Sequence, residues 1–142
     1  MPRYAASRVL PATVDAVWAV LGEPESFADW WPGVERVEPT VRCAFAPGAL
    51  WHVEGATSSK PSVRRRPQMM GDLLVIDVEP SSRVTFQLVS ERIDAELRLE
   101  PTEDGDAAAT LTVEAPRFAG VGRAFPSDAL SKLAALVRPP TG

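Results

Sequence analysis

The sequence has few of the residues that bind metals or form disulfides. Its 142 residues include one cysteine, Cys43, and one histidine, His52. A single cysteine excludes an internal disulfide and a cage of cysteine ligands, and a single histidine excludes a histidine-rich metal site. We also find no Ser-His-Asp arrangement, no paired carboxylates on one inward face and no glycine-rich phosphate loop, which lowers the expectation of an enzyme. We therefore predict no metal and no cofactor.

Long apolar runs and excess basic charge are absent as well. No segment approaches the roughly 18–20 consecutive apolar residues that span a membrane, and the first residues lack the apolar centre of a signal peptide. Lys and Arg number 15 against 19 Asp and Glu, giving a net charge of −4. A nucleic-acid binder needs a basic face to neutralise phosphates. We therefore expect a cytoplasmic protein that neither spans a membrane nor binds nucleic acid.

The rest of the composition is typical of a globular protein. Hydrophobic residues make up 45% and charged residues 24% of the chain, close to the averages for folded domains. The length allows a sizeable core. No internal repeat and no long linker interrupts the sequence. We therefore predict a single domain over residues 1–142.

The first forty residues predict a strand followed by a pair of helices. Thr13 is a favourable N-cap, and Asp15 places a carboxylate in the first turn, where it suits the helix dipole. Gly22 ends this helix, and Pro24 is suited to open the next one. The apolar residues that share one helix face are Val14, Val17, Trp18 and Leu21. We expect strands over residues 4–10 and 34–41 and helices over about 13–21 and 24–31.

The later part of the chain alternates apolar and polar residues, as strands with one buried and one exposed face do. We predict strands over residues 49–55, 64–78, 83–89, 93–100 and 107–114, with Asp104 and Gly105 at a hairpin tip. A last helix is expected over 126–138. Phe118 and Phe125 flank the glycine-containing connector before this helix. They either form a gate at the entrance of a cavity or simply anchor the helix.

Three segments together resemble the START-like, or SRPBCC, superfamily, which includes polyketide cyclase/dehydrase-like proteins. They are residues 11–18 (Pro-Ala-Thr-Val-Asp-Ala-Val-Trp), 30–34 (Trp-Trp-Pro-Gly-Val), and the hairpin 99–105 leading into 109–112. The resemblance implies an α+β helix-grip fold: a curved seven-stranded antiparallel sheet, two short helices, and a C-terminal helix over its concave face. In the family an apolar cavity lies between sheet and helix. The last helix is shorter here than is usual in that family.

The resemblance implies three classes of function, and fold alone does not choose among them. The first is binding of a hydrophobic or aromatic small molecule, lipid- or polyketide-like, by a monomer or homodimer. The second is a cyclase/dehydrase-type enzyme, in which cavity shape folds a reactive polyketide. The third is a protein-interaction module, which a solid core with an exposed apolar patch favours.

Strand alternation and helix spacing give the candidate ligand-binding residues. Trp51 shares a strand face with Ala49 and Val53, which we assign to the concave side. We expect the cavity to be lined mainly by Trp51, Phe86, Leu97, Leu111 and Leu133, with Trp30 or Trp31 and Met70 near its mouth. Since Trp30 and Trp31 are adjacent, we expect them to point in different directions.

Three polar residues are also candidates for contact with a ligand. Arg64 and Arg66 share strand alternation with Leu74 and Ile76, which we take as inward-facing, so that either arginine would pair a ligand carboxylate or phenolate. His52 has the opposite alternation to Trp51 and is predicted to face solvent. We therefore predict that His52 is dispensable for binding.

Overall fold

Strands and helices follow one another in the predicted order. The computed structural model describes residues 2–41, 46–54, 71–89, 91–116 and 121–138, and within them the chain forms seven strands and three helices. The strands are β1 (Arg3–Leu10), β2 (Arg36–Val41), β3 (Leu50–Glu54), β4 (Gly71–Glu79), β5 (Arg83–Leu88), β6 (Ile93–Pro101) and β7 (Ala107–Glu114). The helices are α1 (Val14–Leu21), α2 (Pro24–Trp30) and α3 (Phe125–Val137).

The strands form one curved antiparallel sheet in the order β1-β7-β6-β5-β4-β3-β2. Strands β2 to β6 each pair with the next strand in the chain, and β1 pairs with β7. The predicted hairpin tip lies between β6 and β7, where Gly105 has a φ of 90° and its N–H donates to the carbonyl of Thr102 at 3.0 Å. Glycine adopts this left-handed conformation without strain. The predicted helix-grip fold is confirmed.

The helix pair α1 and α2 forms as the sequence predicts. The Thr13 hydroxyl accepts a hydrogen bond from the N–H of Ala16 at 3.2 Å, which satisfies one of the free donors at the start of α1. Val17 and Leu21 are buried, while Val14 and Trp18 are partly buried against the core. The apolar face of α1 therefore holds the helix pair against the sheet.

Helix α3 covers one end of the sheet. It has 13 residues, a length of about 20 Å, and packs mainly against β1, β7 and α2. Its first residue, Phe125, is buried with its ring 5.0 Å from that of Trp31, and Arg8 of β1 donates to the Ser131 hydroxyl at 2.9 Å. Phe125 is therefore placed as an anchor of the helix, whereas Phe118 lies outside the described residues.

The alternation prediction is confirmed for β5, β6 and β7 and wrong for β4. Leu73 and Val75 are buried, whereas Leu74 is half-buried and Ile76 is 46% exposed. A register shift interrupts the β4–β5 pairing between Val75 and Asp77, so that Ile76 opposes no single residue of β5. In a run of four consecutive apolar residues, hydrophobicity does not show which alternate pair faces the core.

Within the described residues, no helix combines the length and the apolar content needed to cross a membrane.

Candidate functional site

A small pocket lies between the helix pair and strands β3, β4 and β5. It contains about 240 Å³ of space between atoms, part of it open to solvent, and its enclosed part holds roughly one water molecule. Its lining consists of Leu21, Phe27, Trp30, Trp51, Leu73, Val84 and Phe86. Every lining residue is buried and hydrophobic. The enclosed part is far smaller than the ~300–1,000 Å³ of common ligand pockets.

Aromatic rings form much of the wall, with Phe27 of α2 at their centre. The Phe27 ring is stacked on that of Trp31, with centroids 5.3 Å apart. It meets three other rings edge to face, at 5.4 Å for Trp30, 5.7 Å for Phe86 and 6.4 Å for Trp51. Edge-to-face and offset-stacked pairs are the favourable arrangements for aromatic side chains. The wall is therefore a set of mutually supported rings.

Helical spacing explains how α2 supplies two of these rings. Phe27 and Trp30 are three residues apart and lie on one helix face. Trp31 follows as the C-cap in extended conformation, which turns its ring to 87° from that of Trp30 at a centroid distance of 5.5 Å. The two tryptophans do differ in direction, yet the structure buries both, with 3% of Trp30 and 1% of Trp31 exposed.

The interior around the pocket is almost free of polar groups. No polar or charged residue is buried anywhere in the described ranges. Within those residues, no cluster of His, Cys, Asp and Glu has the geometry to hold a metal ion. The indole N–H of Trp31 is buried and finds no hydrogen-bond acceptor among the described residues. The described lining can hold a molecule only through desolvation, dispersion and shape, because none of these residues carries a titratable group for proton transfer.

The structure brings three of the predicted ligand-binding residues to this pocket: Trp30, Trp51 and Phe86. Leu97, Leu111 and Leu133 do not line it and are completely buried in the core. Their role as ligand contacts stays a prediction.

Arg64, Arg66 and Met70 lie outside the described residues. The alternation argument that pointed them inward is wrong at its reference residues, because Leu74 and Ile76 lie on the outer face of β4.

Four lining residues are missing from the sequence-based prediction: Leu21, Phe27, Leu73 and Val84. Leu21 belongs to the predicted apolar face of α1, and Phe27 precedes Trp30 by one helical turn, so both carried a spacing signal. Val84 alternates with Phe86 along β5 and could have been found in the same way. Leu73 was missed because the alternation of β4 was assigned to the wrong residues.

His52 lies on the outer face of the sheet, as predicted. Its side chain is 38% exposed, with Nε2 at 3.4 Å from a Glu54 carboxylate oxygen and Nδ1 at 3.6 Å from one of Asp72. Trp51 and Val53, its neighbours in β3, are buried on the opposite face. The sheet therefore separates the imidazole from the pocket.

Comparisons with known proteins agree with this architecture. The family model "Polyketide cyclase / dehydrase and lipid transport" matches residues 1–138. Protein NE0264 from Nitrosomonas europaea has a similar structure, with a TM-score of 0.70 at 16% identity, covering 96% of this chain and 94% of that one. The structure of protein CV1439 from Chromobacterium violaceum has a TM-score of 0.62 at 20% identity, and the alignment covers 99% of this chain and 100% of that one.

A third similar structure is that of the Aha1 dimer from Colwellia psychrerythraea. Its TM-score is 0.68 at 12% identity, and the alignment covers 100% of both chains. Likenesses at such low identity establish the shared fold. A comparison with curated proteins gives no match.

Proposed function

The chain belongs to the polyketide cyclase/dehydrase and lipid transport family, and from this we propose that it binds a hydrophobic or aromatic small molecule, lipid- or polyketide-like, in the pocket beneath α1 and α2. The observation that supports the proposal most strongly is the lining of that pocket. All seven lining residues are apolar and four are aromatic. Ligand pockets are predominantly hydrophobic and aromatic in this way.

The size of the pocket favours a compact ligand. Its enclosed part holds only about one water molecule, and the value of about 240 Å³ includes space open to solvent. Because the rings around it are packed against one another, a ligand has to push side chains apart to enter. A long acyl chain needs more room than such an opening offers, whereas the edge of a flat ring system needs less displacement of side chains that already meet edge to face. We therefore expect ligands of one to three fused rings to bind better than long-chain lipids.

An enzyme of the cyclase/dehydrase type is the alternative that the family name raises. Since the described interior has no buried polar or charged residue, a reaction in it would depend on holding the substrate in a reactive shape. The described surface offers little to support a protein-interaction module. Its exposed large hydrophobic residues are three: Val9 on β1 is separated by three strands from Ile76 on β4, and Val89 follows β5. Monomer or homodimer, and a cytoplasmic location, stay predictions.

A pocket-filling substitution tests the binding proposal. Val84→Phe adds a ring to the pocket wall, so affinity for neutral aromatic ligands should fall at least about tenfold because the ring occupies the ligand's space. Binding is measured by calorimetry with a panel of naphthalene and anthracene derivatives. Thr85→Phe is the matched control, since the neighbouring residue of β5 lies on the opposite face and should leave affinity unchanged.

Far-UV circular dichroism establishes that both variants are folded, and the smaller change Val84→Leu replaces Val84→Phe if the latter is not. The proposal is overturned if the wild-type protein binds no member of the panel, or if the inner and outer substitutions weaken binding equally.

A further inference from the structure

The indole N–H of Trp31 is a buried donor without an acceptor in the part of the chain that the structure describes. The Trp31 side chain is 1% exposed, and its Nε1 has no hydrogen-bond acceptor among the described residues. Buried polar groups in folded proteins are nearly always hydrogen-bonded, because a desolvated donor without an acceptor costs free energy. An unpaired donor in a native interior therefore calls for an explanation, and a ligand acceptor is one.

Trp31 adjoins the pocket wall. Its ring is stacked on Phe27 at 5.3 Å and lies edge to face with Trp30 at 5.5 Å and with Phe86 at 5.4 Å. These three neighbours are among the seven lining residues of the pocket. Trp31 is not itself one of the seven and lies behind these three, so a ring that enters between Trp30 and Phe86 has to displace part of the wall before a polar substituent on it meets the indole edge.

The charge of the interior limits what that substituent can be. No charged or polar residue is buried in the described part of the chain, so those residues supply no counter-ion for an anionic or cationic ligand. Moving an ion into such surroundings without a partner costs far more than moving a neutral carbonyl that gains one hydrogen bond. Among the described residues, an indole donor in apolar surroundings therefore matches a neutral molecule with an acceptor oxygen.

We infer that this pocket selects a neutral aromatic ligand through a hydrogen bond from the Trp31 indole N–H to a carbonyl oxygen of that ligand. The inference rests on the proposed binding function and extends it, since it assigns a specificity-determining residue and excludes ionised ligands. Aromatic contacts with Phe27, Trp30 and Phe86 hold the ring, and the Trp31 donor distinguishes ligands of equal shape.

Three probes of similar size separate these contributions. Acetylnaphthalene has a neutral carbonyl acceptor, ethylnaphthalene has the same shape without an acceptor, and naphthoate has a negative charge. Calorimetry gives the dissociation constant of each for the wild-type protein, for Trp31→Phe and for the control Trp18→Phe. Trp31→Phe removes the N–H while keeping a ring, and Trp18 is partly buried on α1 and does not line the pocket.

Trp31→Phe should weaken the binding of acetylnaphthalene about three- to tenfold relative to that of ethylnaphthalene, because only the ketone loses a hydrogen bond. The ratio of the two constants cancels any effect of the smaller ring on packing. Trp18→Phe should leave the ratio unchanged. Naphthoate should bind the wild-type protein more weakly than the ketone does.

A second measurement needs no substitution. In the nitrogen-15 spectrum of the wild-type protein, the signal of the Trp31 indole proton should lie further downfield with bound acetylnaphthalene than with bound ethylnaphthalene. The same proton should also exchange with water more slowly in the acetylnaphthalene complex. An unchanged ketone-to-hydrocarbon ratio in Trp31→Phe, an indole signal indifferent to the ketone, or tighter binding of naphthoate would overturn the inference while leaving the binding function intact. If neither neutral probe binds the wild-type protein, the binding function itself fails, and this inference with it.

Discussion

The two faces of the sheet are made from alternate residues of the same strands, yet their chemistry is opposite. On the helix-covered face of β6, Ala95 and Leu97 are buried. On the other face of that strand, Arg98 donates a hydrogen bond to Glu96, and this interaction raises the pKa of the Arg98 guanidinium. The inner face gains free energy from apolar burial, whereas the outer face depends on exposed groups that water solvates in either state.

The outer face accounts for the ion pairs found in the described residues. One example is Arg83, whose guanidinium lies 3.0 Å from Asp77 and 3.1 Å from Glu79. Another is the group around Glu54, which contacts both Arg36 and His52. Because these side chains are largely solvated, removing one of them should change stability little. The comparison shows that the apolar core and the pocket lie on one face of the sheet and the described ion pairs on the other.

A carboxylate on the inner face should have the largest effect. Leu111 of β7 is completely buried opposite Leu97, and Leu111→Asp places there a charge without a partner. We expect a loss of more than about 4 kcal/mol in the free energy of unfolding, or no folded protein. Urea denaturation followed by circular dichroism measures it.

Thr110→Asp is the control for that substitution. Thr110 is the preceding residue of β7, and its cross-strand neighbour in β6 is Arg98 on the outer face. It should change the free energy of unfolding by less than about 1 kcal/mol. Equal losses for the two variants would mean that the two faces do not differ as described.

A cavity on the inner face should have an intermediate effect. Leu97 is completely buried, and Leu97→Ala removes apolar contacts and leaves a void, at a cost of about 2–5 kcal/mol. Arg98→Ala, at the next and exposed position of β6, should leave the urea midpoint nearly unchanged. A loss below about 1 kcal/mol for Leu97→Ala would show that the core adjusts there more readily than a well-packed interior does.

The smallest effect is expected for the histidine. His52→Ala removes a half-exposed side chain on the outer face, so the free energy of unfolding should change by less than about 0.5 kcal/mol. The affinity of this variant for acetylnaphthalene should equal that of the wild-type protein, since the sheet lies between His52 and the pocket. A clear loss of binding in this variant would place the imidazole in the functional site and favour the enzyme alternative.

Residue spacing indicated the orientation of side chains correctly where the apolar pattern was unambiguous. Trp51 and Phe86 sit in strands that alternate cleanly between apolar and polar residues, and both line the pocket. The signal failed at β4, where Leu73 to Ile76 are all apolar and a bulge shifts the pairing. Leu97, Leu111 and Leu133 are buried, but alternation does not say which part of the interior remains unfilled, and their role as ligand contacts stays a prediction.

The sequence by itself determined the order of the elements, the cap of α1, the hairpin at Gly105 and the outward position of His52. Each of these depends on residues close together in the chain, through periodicity, capping and turn chemistry. Only the tertiary structure decided that α3 covers β1 and β7 and that Phe27 joins four other aromatic rings. The same holds for the Trp31 donor, which is buried without a partner among the described residues. These features depend on how distant elements fill a shared volume, and local pattern does not encode that volume.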